Sequence, residues 1–237
     1  MRLYLVRHAD PDSLRDALTP RGEREAEALA ARLEAERITG LYSSVAGRSL
    51  ATVERVARRT GLAVQREQWL VEPRHLRVKQ KGREYAMWDT FGETVRGHSP
   101  LPEREAWFRT PPFDAPEVSA VWKEFTGQCD GMTAAHGYVR EGERYRIERR
   151  NDERIALISH NGTVLLFIAH LLALPLPLAW CGFYTWPASV TTIHFEEHSD
   201  AWAVPRALCV ADTSHLRLAG LEPQPRGMGA GFYEPYR

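Results

Sequence analysis

The sequence sets an arginine beside a histidine where an apolar run stops. In "LYLVRHADPD", Leu3 to Val6 read as a buried strand, and Arg7, His8, Ala9 and Asp10 follow at once. Burying an unpaired charge is costly, so a folding core gains nothing from this pair, whereas a site that grips an anion does. Two further apolar runs end the same way. "ITGLYSS" ends in Ser43-Ser44, with Arg48 just inside the next helix, and "RIALISH" ends in Ser159-His160. In a parallel α/β sheet the carboxyl ends of the strands gather at one edge, where ligands bind. Two arginines and two histidines would meet there. Arginine forks match phosphate oxygens two at a time, and the helix N-termini after Ser44 and His160 add backbone donors. The chemistry such a pocket suits is capture of a tetrahedral dianion.

The elements that must carry these residues follow from local patterning. Thr19-Pro20 reads as an N-cap followed by proline at the first helical position. Ala26, Leu29, Ala30 and Leu33 then recur at helical spacing. "GRSLATVERVARR" reads as a second helix closed by Gly61, and Val64 starts a short strand. The order β-α-β-α-β implies parallel strands. From Pro73 to Arg150 the pattern dissolves into prolines, glycines, charges and tryptophans, with helical pieces expected near 102–108 and 117–128. Long insertions of this kind are usually functional, and Trp88, Trp107 and Trp122 argue that it packs. A strand and an apolar helix, Thr163–Leu174, follow. "SVTTIHFEE" and "WAVPRALCVAD" then alternate like paired strands. The tail from Glu222 is expected to be loosely held. The expected fold is α/β: a three-layer α/β/α sandwich around a central, mostly parallel sheet, one domain over residues 1–237 with an inserted lid at about 73–150.

These motifs, in this order, resemble the histidine phosphatase superfamily in its phosphoglycerate mutase-like branch. "RHAD" is similar to the family's R-H-G-E signature, and "LTPRGEREAEALAARL" to its L-T-x-x-G-x-x-Q-A helix. "LYSSVAGRSLATVERVA" is similar to Y-S-S-x-x-x-R-A-x-Q-T-A, and "ISHNGTV" to S-H-G-G. The resemblance implies a metal-independent phosphatase acting through phosphohistidine on a small phosphate ester. His8 would be the nucleophile. Arg7, Arg48 and His160 would hold the phosphoryl oxygens, with His160 also catalytic. The acid would be Glu72 in "WLVEPRH", with Glu84 and Glu93 as rivals because the family's G-x-W-E pattern does not follow Glu72. Ala9, Asp10, Glu25, Ala51 and Asn161 depart from the family pattern. Neighbouring Arg7 and Arg48 should keep His8 neutral near pH 7. A mutase returning the phosphoryl group to a sugar acid, and a module that binds phosphorylated ligands without turning them over, are the alternatives. No cofactor is implied.

Bulk composition narrows the partners. Lys plus Arg equals Asp plus Glu, 31 each among 237 residues, so no global field points to nucleic acid or an anionic membrane. The most apolar stretch, from Val164, holds His170 and is broken by Pro175 and Pro177, too short for a membrane span. Three scattered cysteines and the absence of a leader pattern fit the cytoplasm. The choice between monomer and homodimer stays open. The basic run "RHLRVKQKGR", from Arg74 to Arg83, reads as a solvated face or as a lure for additional substrate charge. His194 and His198 stand four apart, but on a strand, which argues against a metal pair. Asp212 and His215 follow a strand and could reach the site rim. His136 reads as lid packing or surface.

Overall fold

The computed structural model describes residues 1–226. The first apolar run is β1 (Arg2–Arg7), followed by a small hairpin of β2 (Pro11–Asp12) and β3 (Ala17–Leu18). Helix α1 (Pro20–Ala35) starts where Thr19 accepts a hydrogen bond from the Gly22 amide. β4 (Gly40–Ser44) leads into α2 (Gly47–Thr60), which Gly61 ends in the left-handed conformation at φ 72°. β5 (Val64–Glu67) completes the opening β-α-β-α-β series.

The irregular stretch then supplies a hairpin of β6 (Arg77–Gln80) and β7 (Arg83–Ala86), a short helix α3 (Gly92–Arg96), the long α4 (Pro116–Ala135), and strands β8 (Tyr138–Glu141) and β9 (Arg144–Ile147). Order resumes with β10 (Arg154–Ser159), α5 (Asn161–Leu171) and α6 (Leu176–Gly182). The long hairpin of β11 (Val190–Glu197) and β12 (Trp202–Asp212) comes next, then α7 (Ser214–Leu218).

Eight strands form one mixed sheet in the order β5-β4-β10-β1-β11-β12-β9-β8. Its core, β5, β4, β10 and β1, is parallel, and antiparallel strands extend it beyond β1. Side chains alternate across β1. Tyr4 and Val6 join one core with α1 and α2, while Leu3 and Leu5 join the other with α4, α5 and the insertion. Both faces of the central strands are therefore covered, which accounts for their unbroken apolar runs.

Register places the functional ends together. Arg7 lies beside Ser159, and Ile158 beside Ser43, so His8, Ser44 and His160 emerge at one sheet edge.

Several local expectations shift. The stretch 102–108 is not helical. Only a single tight turn at Trp107–Arg109 forms there, in a segment rich in prolines that cannot donate helical hydrogen bonds. β9 pairs with β12, so the last part of the insertion extends the main sheet. α5 begins two residues before Thr163 and ends at Leu171, because His160 itself is the N-cap. The tail from Glu222 is described as far as Arg226 and is fastened there. Arg226 pairs with Asp10, and its carbonyl accepts from Tyr184 Oη at 2.9 Å. The rest of the tail lies outside the described residues.

Candidate active site

β1, α2 and the turn before α5 deliver His8, Arg48 and His160 to one buried cluster. The guanidinium of Arg48 bridges the two imidazoles. Its Nε donates to His8 Nε2 at 3.1 Å, and its Nη2 donates to His160 Nδ1 at 2.8 Å. Each ring's other nitrogen is also engaged: His8 Nδ1 with the Ala9 carbonyl at 2.8 Å and His160 Nε2 with Ser44 Oγ at 2.9 Å.

These partners fix the tautomers. A carbonyl only accepts, so His8 carries its proton on Nδ1. A guanidinium only donates, so His8 Nε2 holds a lone pair. The same logic places the His160 proton on Nε2. Burial, reinforced by His160, Arg7 and Arg48, drives His8 well below the ordinary imidazole range. Burial, then Arg48, Arg74 and Arg7, does the same to His160. The rings lie 5.1 Å apart, centroid to centroid.

Arg7 approaches from β1. Its Nη1 donates to the Thr185 carbonyl at 2.5 Å and its Nη2 to the Arg226 carbonyl at 2.8 Å, while its Nε is sealed from solvent with no partner among the described residues. Arg48 forms an ion pair with Asp16, and the Gly47 amide donates to the same carboxylate at 2.7 Å. A side chain at residue 47 would meet the Asp16 carbonyl oxygen at 2.2 Å, so only glycine allows this approach.

Glu72 reaches the cluster from the loop after β5. Its Oε1 accepts from the Gly162 amide at 2.8 Å, and Arg74 lies 3.9 Å from Oε2. Burial pushes its carboxyl above the ordinary range despite the opposing pull of that amide and of the nearby arginines. A side chain at residue 162 would strike the Trp88 ring at 2.7 Å and Glu72 Oε1 at 3.1 Å. Arg7, His8, Arg48, Glu72, Arg74 and Arg226 share the lining of a cavity of about 460 Å³, whereas His160, expected to hold phosphoryl oxygens, is fully buried outside that lining with both ring nitrogens engaged.

The structure thus brings Arg7, His8, Arg48, Glu72 and His160 together. It keeps the rival acids out: Glu84 is exposed on β7, and Glu93 pairs with Lys81 at the surface. Of the basic run, Arg74 lines the cavity. His194 lies in β11, and His198 pairs with Glu196 past its end. Asp212 and His215 are tied to Arg32, and His136 to Tyr42 and Glu153, none of them lining the cavity.

Among the described residues one set of three groups has metal-ligand proximity: Cys129, Asp130 and His170. It sits between α4 and α5, and the Arg140 guanidinium donates to the His170 carbonyl at its edge, a charge unfavourable to a cation. Asp16, Asp89 and Arg226 escaped the sequence reading, because no motif or periodicity marks a loop carboxylate or a tail arginine.

Glu25, at the family's glutamine position, accepts from the backbone amide of residue 10 at 2.9 Å. The Asp10 carboxylate itself accepts from Thr19 Oγ1 at 2.7 Å and pairs with Arg226. Asn161, at the family's glycine position, accepts through Oδ1 from the Thr185 amide and hydroxyl at 3.1 and 2.9 Å.

Fold and site define an α/β protein built around paired buried histidines beside an arginine-lined cavity. The chain belongs to the histidine phosphatase superfamily, branch 1, whose family model matches residues 3–206. Among solved structures it is similar to a phosphoserine phosphatase from Entamoeba histolytica in complex with 3-phosphoglyceric acid. That match has 18% identity and a TM-score of 0.61, and it covers 91% of this chain and 98% of that one. A mycobacterial glucosyl-3-phosphoglycerate phosphatase in complex with VO3 matches at 20% identity, TM-score 0.54, covering 88% and 97%. An alpha-ribazole phosphatase from Shigella flexneri matches at 20%, 0.54, 88% and 96%. Likeness at this level is likeness of fold. No curated protein matched.

Proposed function

We propose that the protein hydrolyses a small phosphate monoester, without a metal, through a phosphohistidine on His8. The observation that carries this reading is the His8 tautomer: a neutral ring with its lone pair on Nε2, held under a guanidinium, inside a cavity lined by arginines. Phosphate oxygens would take over the Arg48 donors and free that lone pair. His8 Nε2 then attacks phosphorus as the ester P–O bond breaks, and the Nδ1–H bond to Ala9 supports the charged imidazolium that results. Glu72, whose carboxyl burial pushes upward, gives a proton to the leaving oxygen. A water then attacks the phosphohistidine, loses its proton to Glu72, and the P–N bond returns its electrons to His8. Arg7 and Arg48 neutralise the phosphoryl oxygens throughout, which is most of what phosphoryl transfer needs, while the neutral, fully buried His160 orients Arg48 through Nδ1. The three unpaired cysteines suit work in the reducing cytoplasm.

The test is phosphate release from an aryl phosphate in the presence of a strong chelator, with and without vanadate, followed by alkaline quenching of turnover on ³²P-labelled substrate. Chelator-resistant, vanadate-sensitive release with label on His8 is expected, and His8→Ala should lose both label and turnover. Transfer of label to an added alcohol in preference to water would make the protein a mutase. Binding of phosphorylated ligands with no label and no release would make it a binding module.

A further inference from the structure

Beside the phosphoryl cavity lies a second one of about 200 Å³, with opposite electrostatic character. Its lining includes Trp88, Asp89, Asn161, Trp180, Phe183 and Tyr184. Asn161 lines both cavities. Tyr184, in the wall of the second, carries the Arg7 guanidinium of the first over its ring, 5.5 Å from the centroid.

Asp89 is the only acidic side chain in that lining, and among the described residues its carboxylate has neither a hydrogen bond nor an ion pair. Arg7 and Arg77 act on it through space without pairing, and Glu72 repels it. Burial, with Glu72, pushes its carboxyl up to about 7. An unpaired, largely desolvated carboxylate is costly to keep, and aromatic walls attract cations through their ring faces. Arg7, Arg48, Arg74 and Arg226 line the first cavity, so the two together form a dipole: positive where phosphate would bind, negative next door.

We infer that the second cavity is a subsite for a small ammonium group, and that the preferred substrates are zwitterionic phosphate esters of amino alcohols. The inference deepens the phosphatase reading and rests on it. No covalent step is added, because the ammonium group only pairs with Asp89 and packs against the aromatic walls.

The experiment compares O-phosphoethanolamine with propyl phosphate, which has nearly the same shape and no ammonium. A second pair, phosphocholine and 3,3-dimethylbutyl phosphate, repeats the comparison for a quaternary group. In the wild type at pH 8.5, kcat/KM for the charged member of at least one pair should exceed that of its neutral partner by about tenfold or more. In Asp89→Asn the ratio should fall toward one. The ratio is read within one enzyme, so a general loss of activity in the variant cancels. Equal ratios in both enzymes, or a preference for the neutral esters, overturn the subsite while leaving the phosphatase reading intact. If no ester is turned over, the phosphatase reading fails. Binding of the same pairs to His8→Ala, followed by tryptophan fluorescence, then decides the subsite: a charged-ester preference lost on adding Asp89→Asn supports it, and equal affinities overturn it.

Discussion

At the scale of single residues, the site works through protons already in place. Arg48 is the pivot, since one side chain sets the lone pairs of both imidazoles. Arg48→Ala should lower kcat/KM for any phosphate ester by about 10²–10³-fold, as removal of a charge-stabilising donor does. Steady-state kinetics would show it, and a loss under threefold would remove Arg48 from the mechanism.

Glu72→Gln should slow alkyl phosphates by roughly 10²–10⁴-fold while barely touching activated aryl phosphates, because only poor leaving groups need a proton. Equal losses on both would count against Glu72. The acid must also be protonated to act, so turnover of alkyl phosphates should decline as pH rises through the elevated Glu72 range. Aryl phosphates should lack that decline.

Asp89 carries a stability signature as well. Its carboxyl is raised to about 7 in the folded chain against an ordinary value near 3.8. The folded state therefore binds the extra proton, and stability falls as pH rises from about 4 through about 7. Asp89→Asn should raise stability at pH 8 by about 1–2 kcal/mol, allowing for partial solvent access, and change little at pH 4. Thermal unfolding at the two pH values would reveal the crossover, and an equal shift at both would refute it.

Arg7, His8, Arg48 and His160 were legible because each follows an apolar run or lies within a turn of one. Asp16 and Asp89 were not, since a carboxylate in a loop gains its meaning only from what the fold sets beside it.

At the scale of elements, legibility tracked periodicity. α1 and α2 carried caps and an apolar stripe, and both appear near their expected bounds. The stretch around 102–108 carried only composition, and its apolar residues pack without forming a helix. Glycines at element starts do work that pattern reading cannot weigh. Gly162, in the first turn of α5, lets Trp88 and Glu72 close on the helix. Gly162→Ala should displace one of them and cost about 1–3 kcal/mol, with a larger kinetic loss on alkyl than on aryl phosphates. Denaturant unfolding and the two substrate types together read this out, and an alanine variant with unchanged stability and unchanged alkyl turnover would show that the contact yields freely.

At the scale of the whole molecule, one pocket collects residues from across the chain. Arg7 and His8 come from the first strand, Glu72 follows the third parallel strand, His160 caps α5, and Arg226 reaches back from the tail to Asp10. Arg226→Ala should weaken vanadate inhibition several-fold, because it removes a cation from the cavity lining and releases Asp10. An unchanged inhibition constant would assign the tail a structural role alone. Substrate choice is the least legible property at this scale, since the walls of the second cavity come from the irregular insertion and from the segment around α6.

β1 precedes β10 and β11 in the chain by about 150 residues or more, yet it lies between them in the sheet. A chain growing from the ribosome at about 5–20 residues per second carries an unpaired apolar strand for roughly ten to forty seconds before both neighbours exist. During that interval the open edges of β1 invite pairing with other chains. The protein's yield in a cell is therefore set as much by what shields β1 during translation as by the stability of the finished sheet.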